Sequence, residues 1–257
     1  MSNPAYFAKY SCIRFDRDAD GVLVMALHTN GCPLTFTAEV HEMLVDAFYD
    51  VGRDRANKVV ILTGTGGDFI PAIDIGSFGD GSDPYVFSKL HDDGIQILEN
   101  IANIRVPMIF ALEGRAHVHA DYGLLANVIV AGESASFNDL PHFADGIVPG
   151  DGVYTLWSHF VGPGRAQAML LNPKPLSASE AFTLGVVAEV VPDGEALTRA
   201  KTIAKSYLTR NEITRRNTRI HFIQPIKERI IKEVGYGMAL EGASIAALVK
   251  SMKTMSQ

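Results

Sequence analysis

A strand that is apolar on both of its faces must be covered on both. Lys58-Val59-Val60-Ile61-Leu62-Thr63-Gly64 holds such a run and ends in glycine, as a strand entering a loop should. Strands of this kind belong to largely parallel sheets flanked by helices, and the rest of the chain supplies matching parts. Residues 22–28 read as a second strand, and residues 37–51 place Val40, Leu44, Val45 and Phe48 on one helix face. A long helix is expected over residues 84–103, with Pro84 in its first turn after the possible cap Asp83. Strands over 107–112 and 128–131 follow, separated by a short helix over 120–126. Helices near 153–160, 164–171 and 177–184 then lead to a strand at 186–191. The alternation specifies an α/β fold with a buried sheet.

Beyond Pro192 the pattern is helical to the end. Ile226, Ile230, Val234 and Met238 recur every fourth residue, Ile245 and Val249 extend that face, and Glu241 sits inside it. The expected division is a core over residues 1–195 and a C-terminal helical region over 196–257. No internal repeat or low-complexity tract interrupts either.

Apolar residues make up 47% of the 257, enough for one large core or a core with a small appendage. The formal charge of −6 comes from 29 acids and 23 bases spread along the chain, so no basic stripe invites nucleic acid or an anionic membrane. The local clusters Arg215-Arg216 and Lys227 to Lys232 read as solvated helix faces. Cys12 and Cys32 make no disulfide framework and no metal-ligand spacing. With no basic leader followed by an apolar stretch, and no apolar run near the roughly 20 residues of a membrane span, a cytoplasmic protein is expected.

Chemistry concentrates on the Gly/Pro-rich loop from Phe137 to Asp151, which carries His142 between Pro141 and Phe143 and ends at Asp151. Each polar residue has a bland alternative. His142 could bond a carbonyl, His119 could pin its own turn, and Asp151 could cap the helix beginning near Gly152. Glu241 on an apolar face is costly to bury unpaired, and a hydrogen bond to an imidazole or a salt bridge at a subunit contact would resolve it. Phe36, Phe69, Phe78, Phe87 and Trp157 could line a pocket or simply fill the core.

The order of parts resembles the crotonase (enoyl-CoA hydratase/isomerase) superfamily over nearly the whole chain. The resemblance rests on residues 58–64 followed by Asp68-Phe69-Ile70-Pro71-Ala72-Ile73-Asp74-Ile75, on Pro107 to Gly114 ahead of a helix, and on Ser134-Ala135-Ser136-Phe137 leading to Gly146-Ile147-Val148-Pro149-Gly150-Asp151-Gly152. It implies a spiral of ββα units closed by C-terminal helices that pack in a trimer. Members acting on acyl-CoA hold the thioester oxyanion with two backbone N–H groups. Here the first falls on Pro71, which has none, and the glycine-rich turn supplying the second is His117-Val118-His119-Ala120. The two hydratase glutamates match Asp121 and His142. The β-diketone hydrolase branch shows the same departures and places functional groups at positions matching His119, His142, Asp151 and Glu241. Phe36 stands where a member of that branch holds substrate with a tryptophan, and phenylalanine offers no such donor.

The resemblance implies water attack on one carbonyl of a cyclic or bicyclic 1,3-diketone, breaking a C–C bond to give a keto acid. His142, oriented by Glu241, would be the base, His119 would hold a carbonyl, and Asp151 would assist proton transfer, with the two carboxylates able to exchange partners. Phe36, His119, Phe69, Phe78 and Trp157 would line the substrate site. No cofactor or metal is expected, and the assembly would be a homotrimer or a dimer of trimers. Two other readings stay open: a metal-dependent hydrolase using His117, His119, His142 and Asp151, and a non-catalytic binding or assembly protein on the same fold.

Overall fold

The computed structural model describes residues 3–255. Its elements run β1 (Ile13–Arg17), β2 (Val22–Leu27), β3 (Thr35–Phe36), α1 (Ala38–Arg53), β4 (Val59–Thr63), β5 (Ala72–Ile73), α2 (Pro84–Ala102), β6 (Met108–Leu112), β7 (Arg115–Ala116) and α3 (Ala120–Leu124). They continue with β8 (Val128–Gly132), β9 (Ser136–Phe137), α4 (Val153–Val161), α5 (Pro163–Leu171), β10 (Leu176–Ser177), α6 (Ala178–Thr183), β11 (Glu189–Val191), α7 (Ala196–Leu208) and α8 (Glu212–Met255).

A unit of long strand, short strand and helix repeats four times: β2-β3-α1, β4-β5-α2, β6-β7-α3 and β8-β9-α4. The long strands form a sheet in the order β1-β2-β4-β6-β8-β11, parallel except for β1. All five residues of β4 are buried, as its unbroken apolar run requires. One face of the sheet packs on the helices of the repeating units. The other is covered by α7, whose Ala196, Ala200 and Ala204 recur every fourth residue and let the helix lie close to Val59, Ile61, Ile109 and Val130. The short strands pair among themselves, β3 with β5 and β7 with β9, so the loops that follow them are gathered together.

Local signals account for most boundaries. Thr37 caps α1 by accepting from Val40 N–H, and Asp83 caps α2 with Pro84 in its first turn. The expected strand over 186–191 shortens to Glu189–Val191 because Val186 and Val187 are buried in the turn leaving α6, where their N–H groups donate to Ala181 O. At the C-terminus, α8 runs for 44 residues and continues through Pro225. Tertiary packing of Ile223, Ile226, Ile230, Val234 and Met238 offsets the lost backbone bond. No described helix is long and apolar enough to cross a membrane.

Candidate active site

Two of the gathered loops and one turn of α8 build the site. The loop from β7 to α3 ends at His119, whose backbone lies in the left-handed region at φ 46° and ψ 43°. Glycine meets that conformation freely, whereas a residue with a Cβ gives up about 1–2 kcal/mol. The ring is fixed by its neighbours, stacking on Tyr122 at 4.6 Å and meeting Phe36 at 4.3 Å. Its side chain is 12% exposed.

The loop from β9 to α4 supplies Asp139, His142 and Asp151. Its end touches α8 where Gly150 meets Gly237, and a Cβ added to either would collide with the other's backbone. That close approach lets Gly150 N–H donate to Glu241 Oε2 at 3.2 Å. One turn further along α8, Ser244 Oγ accepts from Val148 N–H at 2.9 Å.

Carboxylates and imidazoles alternate through the site. Asp139 Oδ1 lies 2.6 Å from His142 Nδ1, and Asp151 Oδ2 lies 3.4 Å from His142 Nε2. The same Asp151 oxygen is 3.5 Å from His119 Nδ1, which in turn is 3.6 Å from Asp121 Oδ1. Burial opposes charging His142, but Asp151 and Asp139 outweigh it and lift its pKa well above the ordinary histidine range. His119 is raised in the same way: burial opposes its charge, while Asp121 and then Asp151 favour it. Asp151 is buried too, yet His142 and His119 hold its carboxyl well below the usual range. Burial raises Asp121, and burial together with the Asp151 charge pushes Glu241 up to about 8.

His119, His142, Asp151 and Glu241 face an apolar cavity of about 240 Å³. Phe36 and Phe78 form one wall, Phe87 and Leu90 of α2 another, and Met238 and Ile245 of α8 a third. A further imidazole lines it: His41 of α1 is buried, its Nδ1 has no hydrogen-bond partner, and burial with the nearby His119 charge lowers its pKa to about 4.

A family model described as enoyl-CoA hydratase/isomerase matches residues 17–236. The chain belongs to this family. Among curated relatives, a protein named probable enoyl-CoA hydratase 1, peroxisomal, from Arabidopsis thaliana is 29% identical over 233 residues, covering 89% of this chain and 83% of its own length. Among solved structures, a beta-diketone hydrolase from the cyanobacterium Anabaena sp. PCC 7120, bound to (S)-3-oxocyclohexyl acetic acid, superposes with a TM-score of 0.95. It is 40% identical and covers 96% of this chain and 99% of its own. An enoyl-CoA hydratase/isomerase from Mycobacterium paratuberculosis shares the fold at a TM-score of 0.85 with 21% identity, covering 94% and 98% of the two chains.

Within this family fold, the structure brings together His119, His142, Asp151 and Glu241, with Phe36 and Phe78 on the cavity wall. Two expectations are corrected and one open choice is narrowed. Phe69 and Trp157 are core residues away from the cavity wall: Phe69 meets Phe110 edge-on at 4.8 Å and Trp157 meets Phe137 at 5.9 Å, both fully enclosed. Of the two carboxylates left open as partners of His142, Asp151 is the one beside its Nε2, with Asp139 on Nδ1, while the Glu241 carboxyl bonds the Gly150 backbone. His117 does not join the cluster, because its Nε2 is taken by Ser136 Oγ at 2.9 Å. Among the described residues, the side chains that bring one possible ligand atom each within 4.8 Å of one another are His142, Asp151 and Glu241.

Asp139 and His41 were not anticipated. Asp139 stands three residues before His142, a spacing that becomes a contact only because the chain bends at His142, with φ −109° and ψ −107°. His41 occupies a helix position between Val40 and Leu44, where the periodic pattern places it beside the apolar stripe without saying what lies opposite.

Proposed function

We propose that this protein is a β-diketone hydrolase that adds water across a C–C bond of a cyclic or bicyclic 1,3-diketone and releases a keto acid. The observation that carries the reading is His142: an imidazole with Nδ1 held by Asp139 and Nε2 turned toward Asp151 at the end of an apolar cavity. The features that would serve an acyl-CoA thioester are missing, since Pro71 has no N–H and His119 occupies the glycine turn. The 40% identical Anabaena structure, named a beta-diketone hydrolase and holding a keto acid, supports the same reading.

In this reaction a water oxygen attacks one carbonyl carbon while His142 Nε2 takes the water proton. Asp139 keeps the opposite nitrogen protonated, so the lone pair faces the water. The tetrahedral oxyanion is met by His119 in place of two backbone donors. Its collapse breaks the bond to the carbon between the carbonyls, leaving a carboxylic acid and an enolate stabilised by the second carbonyl. The proton taken by His142 then returns to that enolate carbon, with Asp151 beside the path, and the net change is one water added. A diketone thereby supplies its own stabilised leaving group.

Incubation with a panel of monocyclic and bicyclic 1,3-diketones, followed by chromatography for the keto acid, tests the activity. His142→Ala is expected to abolish turnover, and undiminished activity would remove the proposed base. Dialysis against a chelator should leave the rate in place. A rate lost and then restored by a divalent cation would favour metal-activated water at His142, Asp151 and Glu241 instead.

A further inference from the structure

Asp121 has a place in the site that the reaction above does not use. It lies in the first turn of α3, two residues after His119, and is 1% exposed. Neither of its carboxyl oxygens has a hydrogen-bond partner. A buried carboxyl with no hydrogen-bond partner is costly as an anion, and burial raises its pKa, with the neighbouring His119 opposing the rise. His119 Nδ1 lies 3.6 Å from Oδ1, a separation that a small rotation or a bound substrate would shorten to a hydrogen bond.

We propose that Asp121 is a positioning residue that makes His119 an obligatory hydrogen-bond donor to the substrate through Nε2. The couple shares a proton between Asp121 Oδ1 and His119 Nδ1. If the proton sits on the carboxyl, Asp121 donates to Nδ1 and the neutral ring carries its hydrogen on Nε2. If it sits on the ring, His119 is an imidazolium and Nε2 again carries a hydrogen. Both states put a hydrogen on Nε2. Only loss of the shared proton frees Nε2 as a bare acceptor, which would repel an oxyanion. Once that contact has closed, the two states differ only in where the proton sits, and no co-reactant is needed.

Other groups facing His119 do not supply this control. Asp151 Oδ2, 3.5 Å from the same Nδ1, is already drawn to His142 Nε2 and as a carboxylate can only accept, which favours hydrogen on Nδ1 and a bare Nε2. Tyr122 stacks on the ring face, with an interplanar angle of 4°. His41 on α1 and Glu241 on α8 feel the His119 charge but are not paired with the ring.

The inference assigns a role within the proposed hydrolase reaction, yet its main test needs no turnover. Uniformly 15N-histidine-labelled protein, with His119 assigned by the loss of its signals in His119→Gln, reports which ring nitrogen is protonated. Wild-type protein at pH 8 should show a protonated Nε2, and a bare Nε2 there overturns the proposal without any Asp121 variant. Asp121→Leu, close in size and unable to donate, should convert His119 to the form protonated on Nδ1. Asp121→Asn, whose amide can still donate to Nδ1, should keep Nε2 protonated. If Asp121→Leu leaves the His119 spectrum unchanged, Asp121 does not set the tautomer. On a diketone, Asp121→Leu is expected to lower kcat at least about tenfold with KM moved less than about threefold, and Asp121→Asn to recover most of the loss. A wild-type protein that turns over no diketone would sink the proposed function while leaving the spectroscopic result to judge Asp121.

Discussion

Replacing Asp139 by asparagine tests the central imidazole without disturbing its shape. The two side chains are each 6% exposed, and the Nδ1 to Oδ1 distance is 2.6 Å. The asparagine carbonyl can still accept from Nδ1–H, so the ring keeps its orientation and loses only the negative charge behind it. A hydrogen bond to a charged partner contributes about 1.5–3 kcal/mol. At about 1.4 kcal/mol per pKa unit, the His142 pKa should fall by about one to two units in Asp139→Asn. The base must be neutral to accept the water proton, so the acidic limb of kcat/KM against pH should move down by the same amount. A weaker base also transfers the proton less readily, and the plateau above the limb should drop about threefold to tenfold. The two profiles therefore cross, with the variant faster at low pH and slower at high pH. A limb that stays in place or moves upward would refute the assignment of His142 as base under the control of Asp139.

Stability should carry the same sign. The folded-state pKa of His142 lies above its unfolded value near 6.5, so the folded protein binds that proton more tightly. The associated stabilisation is complete below about pH 6.5 and is lost as the pH rises through the folded value. The Tm difference between wild type and Asp139→Asn should accordingly be largest in mildly acidic buffer and shrink in alkaline buffer.

The Glu241 carboxyl, raised to about 8, stays neutral until the pH passes that value, and above it the folded protein must hold a buried charge that the unfolded chain carries in water. Glu241→Gln should therefore raise Tm more at pH 9 than at pH 6, as read by differential scanning fluorimetry, and an equal shift at both would contradict the buried carboxyl. Trp157→Ala should destabilise by about 3–5 kcal/mol in urea with a small effect on KM, while Phe78→Ala on the cavity wall should change KM for diketones first. Reversal of those two patterns would return Trp157 to the substrate site. The exposed Ile213, Phe222 and Tyr236 of α8, at 71%, 65% and 72%, are expected to be covered in a homotrimer or a dimer of trimers. Light scattering that returns the mass of one chain would contradict this.

The fold was legible because its signals are local or periodic. The apolar run at residues 59–62 could only be a doubly covered strand, and Thr37 and Asp83 mark helix starts through bonds made within three residues, with Pro84 adding its fixed φ in the first turn. The site was legible only in part. His119, His142, Asp151 and Glu241 could be singled out as types and positions, but their pairing depends on which loops the short strands gather. Asp139 illustrates the difference, since only the bend at His142 turns a three-residue separation into a 2.6 Å contact. Phe69 and Trp157 illustrate another limit: an aromatic residue carries no mark of whether it faces a cavity or its own core. The two touching glycines, Gly150 and Gly237, lie 87 positions apart, and nothing local to either announces the contact. Yet their contact brings α8 against the loop and Glu241 to the Gly150 backbone. A side chain larger than hydrogen at either position would separate α8 from the loop, and Gly237→Ala should remove the Glu241 contact and cost activity although residue 237 carries no chemistry. Retained activity in Gly237→Ala would mean that α8 reaches the site without that close approach.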